Sequence, residues 1–505
     1  MNFINRIQGS FIGKVPFYML VAIVFIRLIS IWIMGPMPQD AYYFFYSQHP
    51  SLSYFDHPPA IAYLLWLFTT VLGKNVFAIK LADSVLTALT CIAVYKLAIR
   101  LFPKFEAEKI IVLFLSTLMV SILSLVSTPD TPLLFFWSLS LIALYEAIFN
   151  QKKKYWLLAG VLMGLAFDSK YTAVFLPAGM ILFLLLSDSN RKYLLTFWPW
   201  LTCLIMVAVS SPVIIWNIEN HFASFAFQGS QRMHEAAAFT LKPKFILGLL
   251  GHQLALLIPV LFISIIVSVV QLIRSYASKW SEMSTTGVFL LCFFLPIFLT
   301  FLLLSPIYWI KINWMMPAYI TGTILAGSLI NRKWINLQVI ISFIVHLGLL
   351  VEVLFYPVQI RSDDTWVGWK SLSKKTNAIK SEYQVDFVFS ADSYKTAGEL
   401  NLYNDSFIYG QNIIGQNALQ FDFIGTDLSL LNGKSAIFID SDPRFKNSEK
   451  DTVPNNLLKS YFSSVTQLKP IFIYNGARPV RKFYVYLCKG YIYQAKKATT
   501  ELLQD

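Results

Sequence analysis

The chain has 505 residues, of which 56% are hydrophobic and only 14% charged, with a mean hydropathy of +0.57; a soluble globular protein is nearer 25% charged, so a wholly water-soluble enzyme is excluded. The formal charge of +13 comes without an arginine-rich or aromatic-interleaved ribbon, which points to basic loops at a membrane face rather than to nucleic acid. Cys91, Cys203, Cys292 and Cys488 are scattered, form no CxxC pair and imply no disulfide framework.

A helix needs about 20 apolar residues to cross a bilayer. Candidate spans lie at 15–35, 77–101, 110–127, 131–149, 155–168, 171–187, 194–216, 245–273, 286–304, 307–329 and 335–356, of which 155–168 is short for a full crossing. No small-residue cleavage site follows the first, which reads as a retained helix. Residues 59–73 are apolar but short and led by prolines, and predict an interfacial helix. With the N-terminus inside, the basic clusters Arg100, Lys104 and Lys109, Lys152 to Lys154, Arg191 and Lys192, Arg274 and Lys279, and Arg332 and Lys333 all fall on one face. The other face receives 36–58, the "STPD" turn at 127–130, the "DSKY" corner at 168–171, 217–244 and the "SPIY" corner at 305–308. Beyond Pro357 the chain becomes polar. "DFVFSADSYKTAGELNLY" predicts strand, turn and amphipathic helix, "SAIFID" a strand, and "KPIFIYN" with "RKFYVYLC" a hairpin. The expectation is an α-helical polytopic membrane protein of 11–13 transmembrane helices over 1–357, with an α/β domain over 358–505 on the outer side.

The residues with chemical potential gather in the outer segments. Ionisable groups beside a membrane span face a cavity or water. Asp40 heads an aromatic helix-like run and suits either a capping or a catalytic role. Asp56-His57-Pro58-Pro59 places an acid and an imidazole where paired prolines start a helix, and helix N-termini bind anions. Other residues have plainer readings. Lys80 and Asp83 are spaced as a helix pair. Arg27 lies within the first span and either snorkels or pairs internally. His252 and Gln253 either line a cavity or cap a helix. Trp216, Asn217 and His221 fit an interfacial belt, His234 and Glu235 a solvated loop.

"QDAYYFFYSQH…SYFDHPPAIAYL" resembles the first outer loop of the GT-C glycosyltransferases that use polyprenyl-phosphate sugars, among them the protein O-mannosyltransferases and the lipid A aminoarabinose transferases. "STPDTPLLFFW", "GLAFDSKYTA", "SPVIIWNIENHFASFAFQ", "KINWMMPAY" and "GQNALQFDF" are similar to further motifs of that group, in the same order. The resemblance implies a GT-C-like fold and Asp40 as catalytic base or activator, with Asp130 as a second acid at the site. It places His57 where aminoarabinose transferases carry a phosphate-facing lysine, Asp56 where they carry a glutamate, and Tyr43 where they carry an arginine. Those departures remove positive charge, for which Lys170, beside Tyr171, Arg232 or Lys311 would compensate. They speak against the aminoarabinose substrate itself.

The implied reaction moves a sugar from a polyprenyl-phosphate donor to a lipid A-type glycolipid, an envelope glycan or a protein, with inversion, outside a bacterial inner membrane. The departing phosphate needs cations or helix N-termini, and an acceptor hydroxyl needs a base. No DxD-type nucleotide–metal motif is present in the outer loops and no metal site or required cofactor is predicted, although a divalent cation near Asp40 and Asp130 is left open. The competing class is a transporter or flippase for lipid-linked sugars. That class favours midplane charges and internal repeats, and this sequence shows no repeat.

Overall fold

The structure is a computed structural model that describes residues 11–231, 241–276, 284–444 and 456–494. The chain divides into two compact units, one formed by Met1–Ile33 and Ser51–Val353, the other by Met34–Pro50 and Leu354–Asp505.

The first unit is helical. Among the described residues five helices are long and apolar enough to cross a membrane, Lys14–Ile33, Val76–Leu101, Asp130–Ile148, Thr285–Leu304 and Arg332–Phe355. Three bent pairs reach that length only together, as broken spans or re-entrant loops: Lys104–Leu115 with Leu118–Leu125 at 61°, Trp198–Val209 with Ser211–Glu219 at 50°, and Pro243–Leu257 with Pro259–Arg274 at 108°. The shorter apolar helices are Ala60–Leu72, Lys154–Phe167, Tyr171–Leu186 and Ala318–Leu329. The continuous span expected over 245–273 is therefore broken. Pro259 cannot donate a helical hydrogen bond, and Ile258 takes a left-handed φ of +64°. The span expected over 307–329 becomes helical only from Ala318, because Pro306 and Pro317 bracket a chain of turns.

Each break frees backbone groups that must be satisfied in a lipid environment. A buried polar network does this. Arg27 donates through Nε to Ser121 Oγ and through Nη2 to the Thr117 carbonyl, both at 2.8 Å. The Gln338 amide donates to the Leu257 carbonyl at 2.9 Å and accepts from the Leu261 N–H at 3.0 Å, across the sharpest bend. Ser342 Oγ donates to the Ser116 carbonyl at 2.5 Å, and His346 Nε2 lies 2.6 Å from Ser121 Oγ. Arg27 thus pairs internally rather than snorkelling. Elsewhere helix Lys154–Phe167 packs against Trp198–Val209 through Gly160 and Gly164. A Cβ at Gly160 would stand 2.7 Å from the Thr202 carbonyl oxygen, and one at Gly164 2.5 Å from Val209 Cβ.

The basic loops meet at one end of this unit. Glu146 pairs with Arg100 and Lys152 at 2.8 Å each, and Lys109 donates to the Ile330 carbonyl.

The second unit is an α/β fold. Its sheet contains β1 (Phe387–Ser390), β2 (Ile408–Tyr409), β3 (Ala436–Asp442), β4 (Phe462–Gln467), β5 (Ile471–Asn475) and β6 (Arg478–Tyr491), in the order β2-β1-β3-β6-β4 with β5 also on β6. β1 is parallel to β2 and β3, and β6 is antiparallel to β3, β4 and β5. The predicted strand, helix and hairpin correspond to β1, helix Lys395–Tyr403 and β5–β6, whose two-residue turn uses Gly476 at φ +60°. Helix Pro38–Ser47 packs in this unit. Tyr42 stacks on Tyr394 at 4.3 Å and Phe45 on Phe421 at 4.5 Å, with Gly398 admitting the backbone at Tyr42. On the sheet Arg481 is sandwiched between Trp369 and Phe483 and bonds Asp363 at 2.9 Å.

Candidate functional site

The end of the helical unit away from the basic loops is built around one ion pair. Asp130 opens helix Asp130–Ile148, where the positive end of the helix dipole favours a carboxylate. It is fully buried, and Lys170 Nζ reaches both of its oxygens, at 2.8 and 2.9 Å. Asn313 Nδ2 donates to Oδ2 at 2.5 Å. Sequence reasoning did not single out Asn313, although it lies inside the "KINWMMPAY" motif.

The neighbouring segments are tied to the same corner. The Asp168 carbonyl accepts from the Ala60 N–H at 3.0 Å, joining the corner to the turn that carries Asp56, His57 and the two prolines. The carbonyl of Asp56 in turn receives the Gln228 amide at 2.5 Å. Tyr171 shares a 2.6 Å hydrogen bond with Ser224. Lys80 donates to the Leu125 carbonyl at 2.7 Å and Asp83 accepts from Ser127 Oγ at 2.5 Å, so both brace the turn before Asp130 from a neighbouring helix. The Lys242 N–H bonds the Pro306 carbonyl at 2.7 Å, closing the remaining outer segments on each other. The side chains of Asp56 and Asp168 are buried and that of His57 half-buried.

Asp130 and Lys170 thus meet, Tyr171 follows Lys170 in the chain but faces Ser224 and the charge of Asp56, and the turn of Asp56 and His57 is joined to the corner through the backbone. Lys311 is exposed on the segment that supplies Asn313. Arg232 lies outside the described residues, as do His234 and Glu235. Trp216 and Asn217 are buried rather than forming an interfacial belt. Asn217 holds the turn after its helix by accepting from the Phe225 N–H at 3.1 Å. His252 meets the edge of Trp309 at 5.3 Å, and Gln253 accepts from the Tyr319 hydroxyl at 2.8 Å.

Asp40 and Tyr43 belong to the other unit. Asp40 is the third residue of helix Pro38–Ser47, fully buried, and its Oδ2 accepts from the Met37 N–H at 2.8 Å. The carboxylate therefore fixes the start of its own helix. Tyr43 packs edge-on against Tyr46 at 5.5 Å. Among the described residues no three His, Cys, Asp or Glu side chains are grouped to hold a metal.

Residues 56–216 match the family of dolichyl-phosphate-mannose-protein mannosyltransferases. The chain is 23% identical to the lipid A galacturonosyltransferase RgtD of Rhizobium johnstonii over 359 residues, 69% of this chain and 74% of the relative. It is 30% identical over 176 residues to the undecaprenyl phosphate-alpha-4-amino-4-deoxy-L-arabinose arabinosyl transferase of Pseudomonas savastanoi pv. phaseolicola, 34% of this chain and 32% of that one. In structure it is similar to ArnT from Cupriavidus metallidurans, solved in the apo state and bound to undecaprenyl phosphate, with a TM-score of 0.61 at 13% identity over 93% of this chain and 97% of ArnT. The chain thus shares the fold of ArnT over nearly its full length and is similar in sequence to glycosyltransferases.

Proposed function

We propose that the chain transfers a sugar from a polyprenyl-phosphate donor to a lipid A-type glycolipid, another envelope glycan or a protein on the periplasmic side of a bacterial inner membrane. The observation that carries the reading is the buried Asp130–Lys170–Asn313 cluster at a helix N-terminus, with the segments 56–60, 127–130, 168–171 and 224–228 drawn to it. A structural ion pair alone would not need four outer segments gathered around it in a chain this apolar.

The anomeric C–O bond breaks as the acceptor oxygen attacks from the opposite face, inverting the centre, and the lipid phosphate leaves with its negative charge. His57, at the proline-led start of helix Ala60–Leu72, Lys170, Arg232 and Lys311 are the proposed phosphate-facing groups, with Asp56, Tyr43 and Tyr171 alongside. Asp40 is the proposed base for a hydroxyl acceptor; for an acceptor that is already ionised it orients the nucleophile instead. No cofactor is required in this scheme, and a divalent cation would act only through Asp40 and Asp130. The N-terminus and basic loops are cytoplasmic, and 358–505 forms a periplasmic domain beside a catalytic membrane domain within 1–357.

The test uses purified full-length protein in lipid nanodiscs with polyprenyl-phosphate-linked sugars and lipid A, read by mass spectrometry with and without chelator. A gain of one sugar mass on the acceptor is expected. Asp40→Asn should abolish transfer and retain donor binding, because asparagine's carbonyl oxygen can still accept from the Met37 N–H but cannot take a proton. An unchanged acceptor with every donor would overturn the reading.

A further inference from the structure

The 168–171 corner carries an acid for which the scheme above has no use. Asp168 is only 9% exposed, and its Oδ1 has no hydrogen-bond partner among the described residues. No lysine or arginine among the described residues forms an ion pair with it, in contrast to Asp130 two contacts away along the same corner. The backbone around it is held firmly. Its own carbonyl is bound by Ala60 N–H, Lys170 is pinned to Asp130, and Tyr171 to Ser224. The backbone on either side of this carboxyl is thus tied down, and an acceptor left unmet in a buried position costs folding free energy. In native proteins such a group is completed by a water, an ion or a ligand.

The missing partner must be a hydrogen-bond donor. Burial pushes the Asp168 carboxyl up to about 7, so near neutral pH it is part charged and would repel a lipid phosphate or the carboxylate of a uronic acid. Tyr63, on helix Ala60–Leu72, is the titratable group that shares its electrostatic field, Asp56 and His57 lie on the turn that leads into that helix, and Lys170 and Asp130 are committed to each other. Sugars offer hydroxyls, and amino sugars an ammonium group as well.

We infer that Asp168 is a binding residue for the transferred sugar, its carboxylate accepting a hydrogen bond from an O–H or N–H group of the donor's sugar ring. This rests on the function proposed above.

The experiment compares wild type with Asp168→Asn in nanodiscs, using polyprenyl-phosphate-linked neutral, amino and uronic sugars from pH 5.5 to 8.5. Binding of sugar-free polyprenyl phosphate and thermal stability are measured in parallel. Wild-type transfer should rise through an ionisation near pH 7. The variant should lose about tenfold or more of kcat/KM at pH 8, lose that ionisation, and bind sugar-free lipid phosphate as wild type does. An ammonium partner would show as a preference for amino sugars that the variant lacks; a hydroxyl partner would lower all substrates alike. The inference falls if the variant transfers within about twofold of wild type with the same pH profile, if it loses affinity for the sugar-free lipid, or if it is less stable than wild type at pH 8. Wild type that transfers no polyprenyl-linked sugar would instead sink the functional reading, and this inference with it.

Discussion

Asp130 and Lys170 are both buried, so each charge depends on the other. Removing one partner of such a pair leaves an uncompensated charge and costs about 3–5 kcal/mol, whereas replacing both by well-packed neutral groups is often close to neutral. Lys170→Met should therefore lower the thermal midpoint sharply, and the double variant Lys170→Met/Asp130→Leu should recover stability while remaining inactive. Recovery of stability without activity would separate the structural share of the pair from its chemical one, and thermal unfolding beside a transfer assay checks both. Asp168 predicts the opposite sign. Its carboxyl holds a proton more tightly when folded, to about 7 against an unfolded value near 4. Between those values stability falls as pH rises, and the penalty is fully present above pH 7. Asparagine cannot ionise, so Asp168→Asn should be more stable than wild type by a few degrees at pH 8, with the difference fading as pH drops towards 4. A gain in stability coupled to a loss of transfer is the usual mark of a group kept for function. Asp130 and Lys170 were legible in the sequence because polar residues stand out between apolar runs. Asn313 and Asp168 were not, since their importance lies in which atoms they meet or fail to meet.

At the scale of elements, hydropathy located the helices but not their bends. The break at Ile258 needs both Pro259 and a distant glutamine, and no window of local sequence contains Gln338. That side chain satisfies a carbonyl and an N–H across the 108° bend. Gln338→Leu should leave both groups unmet at about 1–3 kcal/mol each. Amide exchange is expected to speed up locally at 257–262, while helix Val76–Leu101 stays protected; uniform exchange would show that the bend does not depend on the glutamine. The Gly160–Gly164 contact was readable in principle, as two small residues one helical turn apart on an apolar segment. Gly164→Leu would place side-chain atoms where Val209 already stands, so it should destabilise the protein strongly. Val161→Ala, at an exposed position of the same helix, should cost far less.

At the scale of the whole molecule, the positive-inside pattern was the strongest signal, because it summed over many loops at once. Its counterpart in the structure is the collection of Arg100, Lys109 and Lys152 at one end of the helical unit, around Glu146 and the Ile330 carbonyl. What the sequence could not tell was that much of 36–58, read as an outer loop of the membrane region, packs with chain more than 300 residues away, through Tyr42, Phe45 and Gly398. Aromatic runs next to spans look alike whether they face lipid or a folded sheet. The charge pattern still fixes an orientation that can be measured. Lys153 and Lys370 are both exposed, Cys91, Cys292 and Cys488 are buried, and with the half-buried Cys203 replaced by serine a single cysteine introduced at either lysine reports its own side of the membrane. Lys370→Cys should react with a membrane-impermeant maleimide from outside, and Lys153→Cys only after the inner membrane is opened. Each basic residue near a span end biases retention on the cytoplasmic side, and the several clusters here act in concert, so one misplaced loop cannot invert the whole. Reversal of both labels would place the acids of the outer corner in the cytoplasm, where the proposed periplasmic transfer could not occur.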